Sequence, residues 1–202
     1  MNSSSKSPIT AKPRAGDVVL FSGITPRHRT VERLTLSKWS QVGLVMMIPK
    51  VANPVLFEAT SIPLLADIES GLCQPGVQTT DLAERLHCFA GRIAFRKLEP
   101  PLDHETNEKL ISFRCSVLGR PFNFSRLYSR RSLRRSHREW EPNSFLCSSL
   151  VAAAYQAIGL MQRPPIGPLP NNILPGDFSQ TGSLPFLKGC SLGEEIMLRD
   201  RQ

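Results

Sequence analysis

Cys147 stands where the start of a helix would favour a reactive thiol. Residues 145–159 predict a helix, because the alanines have high helix propensity and Gly159 suits the left-handed position that ends a helix. Asn143 and Ser144 are good N-cap residues just before this run. In the first turn, unpaired backbone N–H groups and the positive end of the helix dipole favour a thiolate. The predicted chemistry is nucleophilic attack by sulfur.

The same cysteine also suits a purely structural position. Apolar residues follow Cys147 at offsets of three, four, seven and eleven, so the thiol lies on the buried stripe of the predicted helix: Leu150, Val151, Ala154 and Ile158. The alternative is therefore a small buried hydrophobe on a core helix. A catalytic cysteine would also need a base within hydrogen-bond reach and a third group that orients the base.

Three short apolar runs predict strands that could position such groups, at 18–21, 42–48 and 55–59. The turn at 49–54 makes the second and third runs an antiparallel hairpin. Alternation in the third run places Glu58 on the face opposite Phe57. We expect Glu58 and Cys147 to meet in one cleft, with the amide side chain of Gln41 between them.

The remaining pattern predicts a mixed domain. Residues 61–79 look irregular, and Thr80 and Asp103 are candidate helix caps. The other predicted elements are a helix around 31–36, a helix at 81–86, a strand at 92–98, a helix at 104–118 and a final strand near 196–198. The fold class is α+β, with a small antiparallel sheet packed against the helix that carries Cys147.

Length, apolar runs and cysteine spacing indicate what class of protein this sequence encodes. The 202 residues predict a disordered tail at 1–14 and a single domain at 15–202. We see no secretory signal and no apolar run of the roughly 18 residues that span a bilayer, which predicts a cytoplasmic protein. The five cysteines are scattered without metal-ligand spacing, so we expect reduced thiols, no metal and no cofactor.

The net charge of +8 is concentrated in one segment, because residues 126–138 hold six arginines and no acid. The arginines that fall on one face of a helix include Arg130, Arg131, Arg134 and Arg135. They could contact an anionic membrane or nucleic acid, although a solvated surface loop is the alternative. No nucleic-acid motif accompanies the run, and aromatic residues are too sparse for a stacking platform.

Four segments in chain order resemble the circularly permuted papain-like amidases of the YaeF/YiiX kind, which are relatives of the NlpC peptidases and the lecithin retinol acyltransferases. The segments are Gly16-Asp-Val-Val-Leu20, Trp39-Ser-Gln-Val-Gly-Leu-Val45, Leu56-Phe-Glu-Ala59 and Phe145-Leu-Cys-Ser-Ser-Leu-Val151. The later Pro175-Gly-Asp-Phe178 is also similar to a Pro-Gly-Asp segment of that family. The resemblance implies a permuted papain-like fold of the NlpC type and acyl-transfer chemistry on an amide or ester.

Carried over by position, the resemblance implies that Cys147 is the nucleophile and Glu58 the polar third member. Tyr155 could line the same pocket, as could Ser40 and Trp39 beside the predicted strand, and Asp17 matches a structural turn residue. Gln41 occupies the position of the histidine base in the family.

An amide cannot take a proton from a thiol at neutral pH, because it has no titratable nitrogen. Losing general-base catalysis typically costs about 10²–10⁴-fold in rate. Gln41 could still hold Glu58 or donate to a developing oxyanion. The candidates for a replacement base are His28, His87, His104 and His137.

Three hypotheses therefore stand. The first is a thiol hydrolase or acyltransferase that acts on a peptide-like or lipid-like acyl substrate through Cys147. The second is an inactive member of the same family that binds a small ligand or partner in the same cleft. The third is a basic adaptor for anionic surfaces.

Overall fold

Six strands form one antiparallel sheet in the computed structural model, which describes residues 12–123, 143–187 and 189–200. The sheet strands are β1 (Val18–Gly23), β2 (Gln41–Met46), β3 (Val55–Thr60), β4 (Gly76–Asp81), β5 (Gly91–Arg96) and β8 (Ile196–Arg199). Their spatial order is β4-β3-β2-β1-β5-β8, and each neighbouring pair runs antiparallel. Two short strands, β6 (Leu98–Glu99) and β7 (Ser191–Leu192), pair separately.

In the described part of the chain, four α-helices pack around this sheet. They are α1 (Pro26–Thr35), α2 (Leu82–Cys88), α3 (His104–Val117) and α4 (Cys147–Ala157). Two 3-10 turns follow at Pro170–Asn172 and Pro175–Phe178. None of the described helices is long and apolar enough to cross a membrane.

Alternation along the strands divides the core between the two faces of the sheet. On one face, Val42 and Phe57 join the larger core with the buried residues of α4, which packs on β2, β3 and α3. On the other face, Val45 and Leu56 form a smaller core with Leu82 of α2. Each fully buried Leu or Val side chain contributes roughly 1.5–3 kcal/mol, so α4 is firmly held against the sheet.

The hairpin of β2 and β3 opens at one end. The two strands pair over Leu44–Phe57, Val45–Leu56 and Met46–Val55. The pairing stops there, although β2 begins at Gln41 and β3 continues to Thr60. We call this opening the fork, and it lies beneath the start of α4.

Most predicted elements are confirmed, including the hairpin, the helix capped by Asp103 and the late strand. The prediction of irregular chain at 61–79 was wrong at its end, because Gly76–Asp81 forms β4. This strand lacks the usual apolar alternation, since Gln78 donates to Glu58 and Thr79 accepts from Arg114. The helix predicted at 81–86 begins at Leu82 instead, where Asp81 rather than Thr80 accepts the capping hydrogen bond.

Two predicted regions fall partly or wholly outside the described residues. The basic segment 126–138, with Arg130, Arg131, Arg134 and Arg135, lies outside them, as do His137 and residues 1–11 of the predicted tail. Residues 12–14 of the predicted tail are described, and the backbone N–H of Arg14 donates to Asp17.

Candidate active site

Cys147 is the first residue of α4 and is buried, with 8% of its surface exposed. The N-cap is Leu146, which lies three residues after Asn143 and two after Ser144, the predicted caps. Leu146 has no capping side chain, and its backbone N–H donates instead to Oγ of Ser149 at 2.9 Å. Gly159 follows the helix with φ of 81°, as the left-handed position requires. At the start of α4, the hydrogen bond from Leu146 to Ser149 therefore takes the place of a side-chain cap.

The thiol of Cys147 lies at the fork. In β2, the backbone N–H of Val45 donates to the carbonyl of Asp17, the residue before β1. The N–H groups that alternate with it, including that of Val42, therefore point toward β3. Val42 lies beyond the last β2–β3 pair, and its N–H is close enough to the sulfur to lower the pKa of Cys147. The opening of the hairpin therefore directs a backbone donor at the thiol.

Burial dominates the electrostatics of this sulfur. Desolvation raises the pKa of Cys147 to about 11, and the negative charge of Glu58 adds to the increase. The N–H groups of Val42, Ser148 and Cys147 itself act in the opposite direction but do not outweigh burial. At pH 7, roughly one thiol in 10⁴ is ionised.

Glu58 is held by four donors from three side chains and is completely buried. Arg85 of α2 makes a two-pronged ion pair, with Nε to Oε1 at 2.7 Å and Nη2 to Oε2 at 3.2 Å. Gln78 Nε2 donates to Oε1 at 3.3 Å, and Gln41 Nε2 donates to Oε2. The carboxylate is therefore committed mainly to Arg85, which is 2% exposed.

Gln41 and Glu58 share the face of the sheet that α2 covers, because they alternate with Val42 and Phe57 on the opposite face. Cys147 belongs to the core of the opposite face. The expectation of one cleft shared by all three side chains therefore needs correction. The structure brings Gln41 and Glu58 into contact with each other, while the thiol approaches them only at the fork, where the Glu58 charge still acts on it.

The five largest influences on the pKa of Cys147 include no histidine. His87 and His104 are exposed on helices. His28 is half-buried in α1, where its Nδ1 contacts Oγ1 of Thr25 at 2.9 Å and its ring lies edge-on to Phe89. Its contact with Phe89 places it over the core of the α2 face, away from the core that holds Cys147.

Tyr155, Trp39 and Ser40 each form a hydrogen bond to a group other than Cys147, and their role as pocket walls beside the thiol stays a prediction. Tyr155 is fully buried, lies about 12 Å along α4 from Cys147, and donates its hydroxyl to the carbonyl of Gly16 at 2.7 Å. Trp39 is fully buried, and its Nε1 donates to Glu195 at 3.3 Å. Ser40 donates its hydroxyl to the carbonyl of Phe21 and so ties β2 to β1.

Asp17 has the structural role expected of it. Its carboxylate accepts from the backbone N–H groups of Arg14 at 2.8 Å and Leu98 at 2.9 Å. Burial raises its pKa despite these two hydrogen bonds. Asp17 thereby fixes the turn that enters β1.

Sequence reasoning missed Arg85 and Gln78, the two residues that complete the cluster around Glu58. Arg85 lies 27 positions from Glu58, and its guanidinium stacks over the rings of Phe21 at 4.7 Å and Phe89 at 5.2 Å. On a short helix with exposed neighbours, it resembles an ordinary surface arginine. The one usable signal was Glu58 itself, since a buried carboxylate needs a cation.

No family model matches the chain, and no curated protein matches it. Among solved structures, the fold is similar to the crystal structure of the metalloprotein YiiX from Escherichia coli O157:H7, with a TM-score of 0.53 and 24% identity. The match covers 72% of this chain and 66% of that chain, so the chain matches slightly less than two thirds of YiiX. The resemblance to YiiX that the sequence indicated is confirmed at the level of the fold: this chain has a YiiX-like α+β fold.

Proposed function

We propose that this protein is a papain-like family member that binds an amide or ester compound beside Cys147 without hydrolysing it. The observation that carries this proposal is that the thiol is buried and that Gln41, the residue matched to the family's histidine, donates its amide to Glu58. Burial raises the pKa of Cys147 to about 11. A thiol attacks as the thiolate, so a site with this pKa is a poor nucleophile at neutral pH.

Backbone donors at the start of α4 provide the recognition. The N–H groups of Val42, Ser148 and Cys147 converge near the sulfur, and a helix start attracts partial negative charge. A carbonyl oxygen of a peptide-like or lipid-like acyl ligand matches these donors. In a permuted papain-like site of the NlpC type, the same donors would stabilise an oxyanion.

One observation favours a second candidate, a thiol hydrolase or acyltransferase. The same three N–H groups lower the pKa of Cys147, so a ligand that brings its own base could activate the sulfur. In that reaction the sulfur bonds to the carbonyl carbon, the leaving amine or alcohol takes the proton, and water then releases the acid. The absence of a described imidazole near the thiol makes this the less supported candidate.

The YiiX structure is described as that of a metalloprotein, so we tested whether these residues suit a metal ion. Within 12–123, 143–187 and 189–200, no group of three His, Cys, Asp or Glu side chains lies close enough to hold one. Both oxygens of Glu58 are already engaged by Arg85, and the Cys147 thiol is protonated. The residues present do not fit a metal centre.

Binding and turnover can be measured on the same sample. N-acetyl-leucine amide and N-acetyl-leucine methyl ester serve as probes, with ligand-observed NMR for binding and chromatography for products. We expect binding by the wild-type protein and by Cys147→Ala, with no product above the rate in buffer. Products that disappear in Cys147→Ala but persist in the matched thiol variant Cys190→Ala would favour the hydrolase instead.

A further inference from the structure

A cavity of about 330 Å³ is lined mainly by residues of the C-terminal part of the chain. Charged, hydroxyl and apolar side chains line it, namely Arg96, Asp177, Ser183, Leu184, Phe186 and Ser191. Cys147, Gln41 and Glu58 are not among its lining residues. Its volume is at the small end of pockets that hold metabolite-sized molecules.

Arg96 brings a positive charge to this cavity that no carboxylate pairs with among the described residues. Its side chain donates to the carbonyls of Gly193, Phe178, Ser179 and Leu192 at 2.6–2.9 Å. These four bonds use four of the five guanidinium N–H groups. One N–H remains in a residue that is only 8% exposed, and the negative charge of Glu195 acts on the guanidinium without forming an ion pair.

Asp177 brings the opposite charge. Its Oδ2 accepts from the backbone N–H of Leu174 at 2.8 Å, and in the described part of the chain no cation pairs with this carboxylate. Oδ1 accepts no hydrogen bond from the described residues. Burial raises the pKa of Asp177, as expected for a carboxylate without a charged partner.

The two side chains line one cavity but do not form an ion pair with each other. Buried charges are costly unless an opposite charge meets them. A molecule that carries both charges could pair with both side chains at once. Leu184 and Phe186 add apolar surface to the same cavity.

We propose that this cavity binds a small zwitterion, an apolar amino acid or dipeptide, with its carboxylate on Arg96 and its ammonium on Asp177. This site is separate from the thiol. Failure of zwitterion binding can be distinguished from failure of the proposed function, because Cys147→Ala removes the thiol and leaves the lining of this cavity unchanged.

Matched probes test the two charges separately. L-Leucine and glycyl-L-leucine carry both charges, 4-methylpentanoate carries only the carboxylate, and isoamylamine carries only the ammonium. Binding is followed by calorimetry and by amide chemical shifts. We expect at least one zwitterion to bind at least tenfold more tightly than either single-charge analogue.

Two variants connect the binding to the cavity. Asp177→Asn keeps the acceptor for Leu174 and removes the charge, and Ser183→Trp fills the space from an exposed position. Each should weaken zwitterion binding at least tenfold, whereas the control Glu194→Gln, an exposed acid outside the lining, should not. The proposal is overturned by no binding at 20 mM probe, by equal affinity for the single-charge analogues, or by unchanged affinity in both cavity variants.

Discussion

Arg85 holds Glu58 through two parallel contacts, Nε to Oε1 at 2.7 Å and Nη2 to Oε2 at 3.2 Å, in a pair that is almost completely buried. The ion pair links α2 to β3 on the face of the sheet that α2 covers. It also decides what Glu58 can do, because a carboxylate already engaged by a guanidinium is not available as a base. The acid that the family resemblance assigns to catalysis is, in this chain, the centre of a structural cluster.

Replacing Arg85 should destabilise the fold strongly. Arg85→Met leaves Glu58 buried without its cation, and losing one partner of a buried ion pair costs about 3–5 kcal/mol in the free energy of unfolding. Urea denaturation measures this cost. The control is Lys109→Met, which breaks the exposed pair with Glu105 and should leave the midpoint nearly unchanged. Equal effects of the two variants would mean that the Arg85–Glu58 pair is not a principal support of the fold.

Gln41→His should raise the reactivity of Cys147. An imidazole at position 41 would be oriented by Glu58 and could accept the thiol proton, as in papain-like sites. We expect alkylation of Cys147 by iodoacetamide at pH 7.5 to become at least tenfold faster than in the wild-type protein.

The matched control for this variant is Gln41→Asn, which keeps an amide and should react like the wild-type protein. If Gln41→His and Gln41→Asn react at the same rate, the side chain at position 41 does not reach the thiol. The correspondence of Gln41 with the family histidine would then fail.

Tyr155→Phe tests whether Tyr155 supports the core or the site. The substitution removes the hydroxyl that donates to the buried carbonyl of Gly16, which should cost about 1–3 kcal/mol in stability. The rate of Cys147 alkylation should not change, because the hydroxyl lies about two helical turns away. A changed alkylation rate at unchanged stability would instead place Tyr155 in the thiol site.

Asp177→Asn should make stability less sensitive to pH. Burial raises the pKa of Asp177 above 3.8, so the folded protein holds this proton more tightly than the unfolded chain. The stabilising contribution of the protonated Asp177 carboxyl is fully present below pH 3.8, and it is lost as the pH rises through the folded-state pKa. Thermal melts should find Asp177→Asn at least as stable as the wild-type protein at pH 7, with the advantage shrinking toward pH 4. An advantage that grows as the pH falls would contradict this assignment.

The sequence alone predicted the strands and the helix that surround the site, but it did not predict the side-chain contacts within the site. Local patterns located the hairpin, the start of α4 and the buried stripe after Cys147, because periodicity and turn residues act over a few positions. The Arg85–Glu58 pair joins residues 27 positions apart, and Arg96 reaches carbonyls more than 80 positions away, so no local pattern could indicate either. β4 was missed because its polar residues meet distant partners, with Gln78 donating to Glu58 and Thr79 accepting from Arg114. The burial that sets the pKa of Cys147 likewise arises only when distant segments pack together.

The central claim is that the Cys147 thiol is protonated at neutral pH and has no imidazole base among residues 12–123, 143–187 and 189–200. The most direct measurement is the rate of iodoacetamide alkylation at Cys147 against pH, followed by peptide mass spectrometry, with exposed Cys73 as an internal reference. We expect Cys147 to react at least about a hundredfold more slowly than Cys73 at pH 7, with a rate that rises toward a midpoint of about 11. A midpoint below 8, with Cys147 labelled ahead of Cys73, would contradict the claim and restore an activated nucleophile.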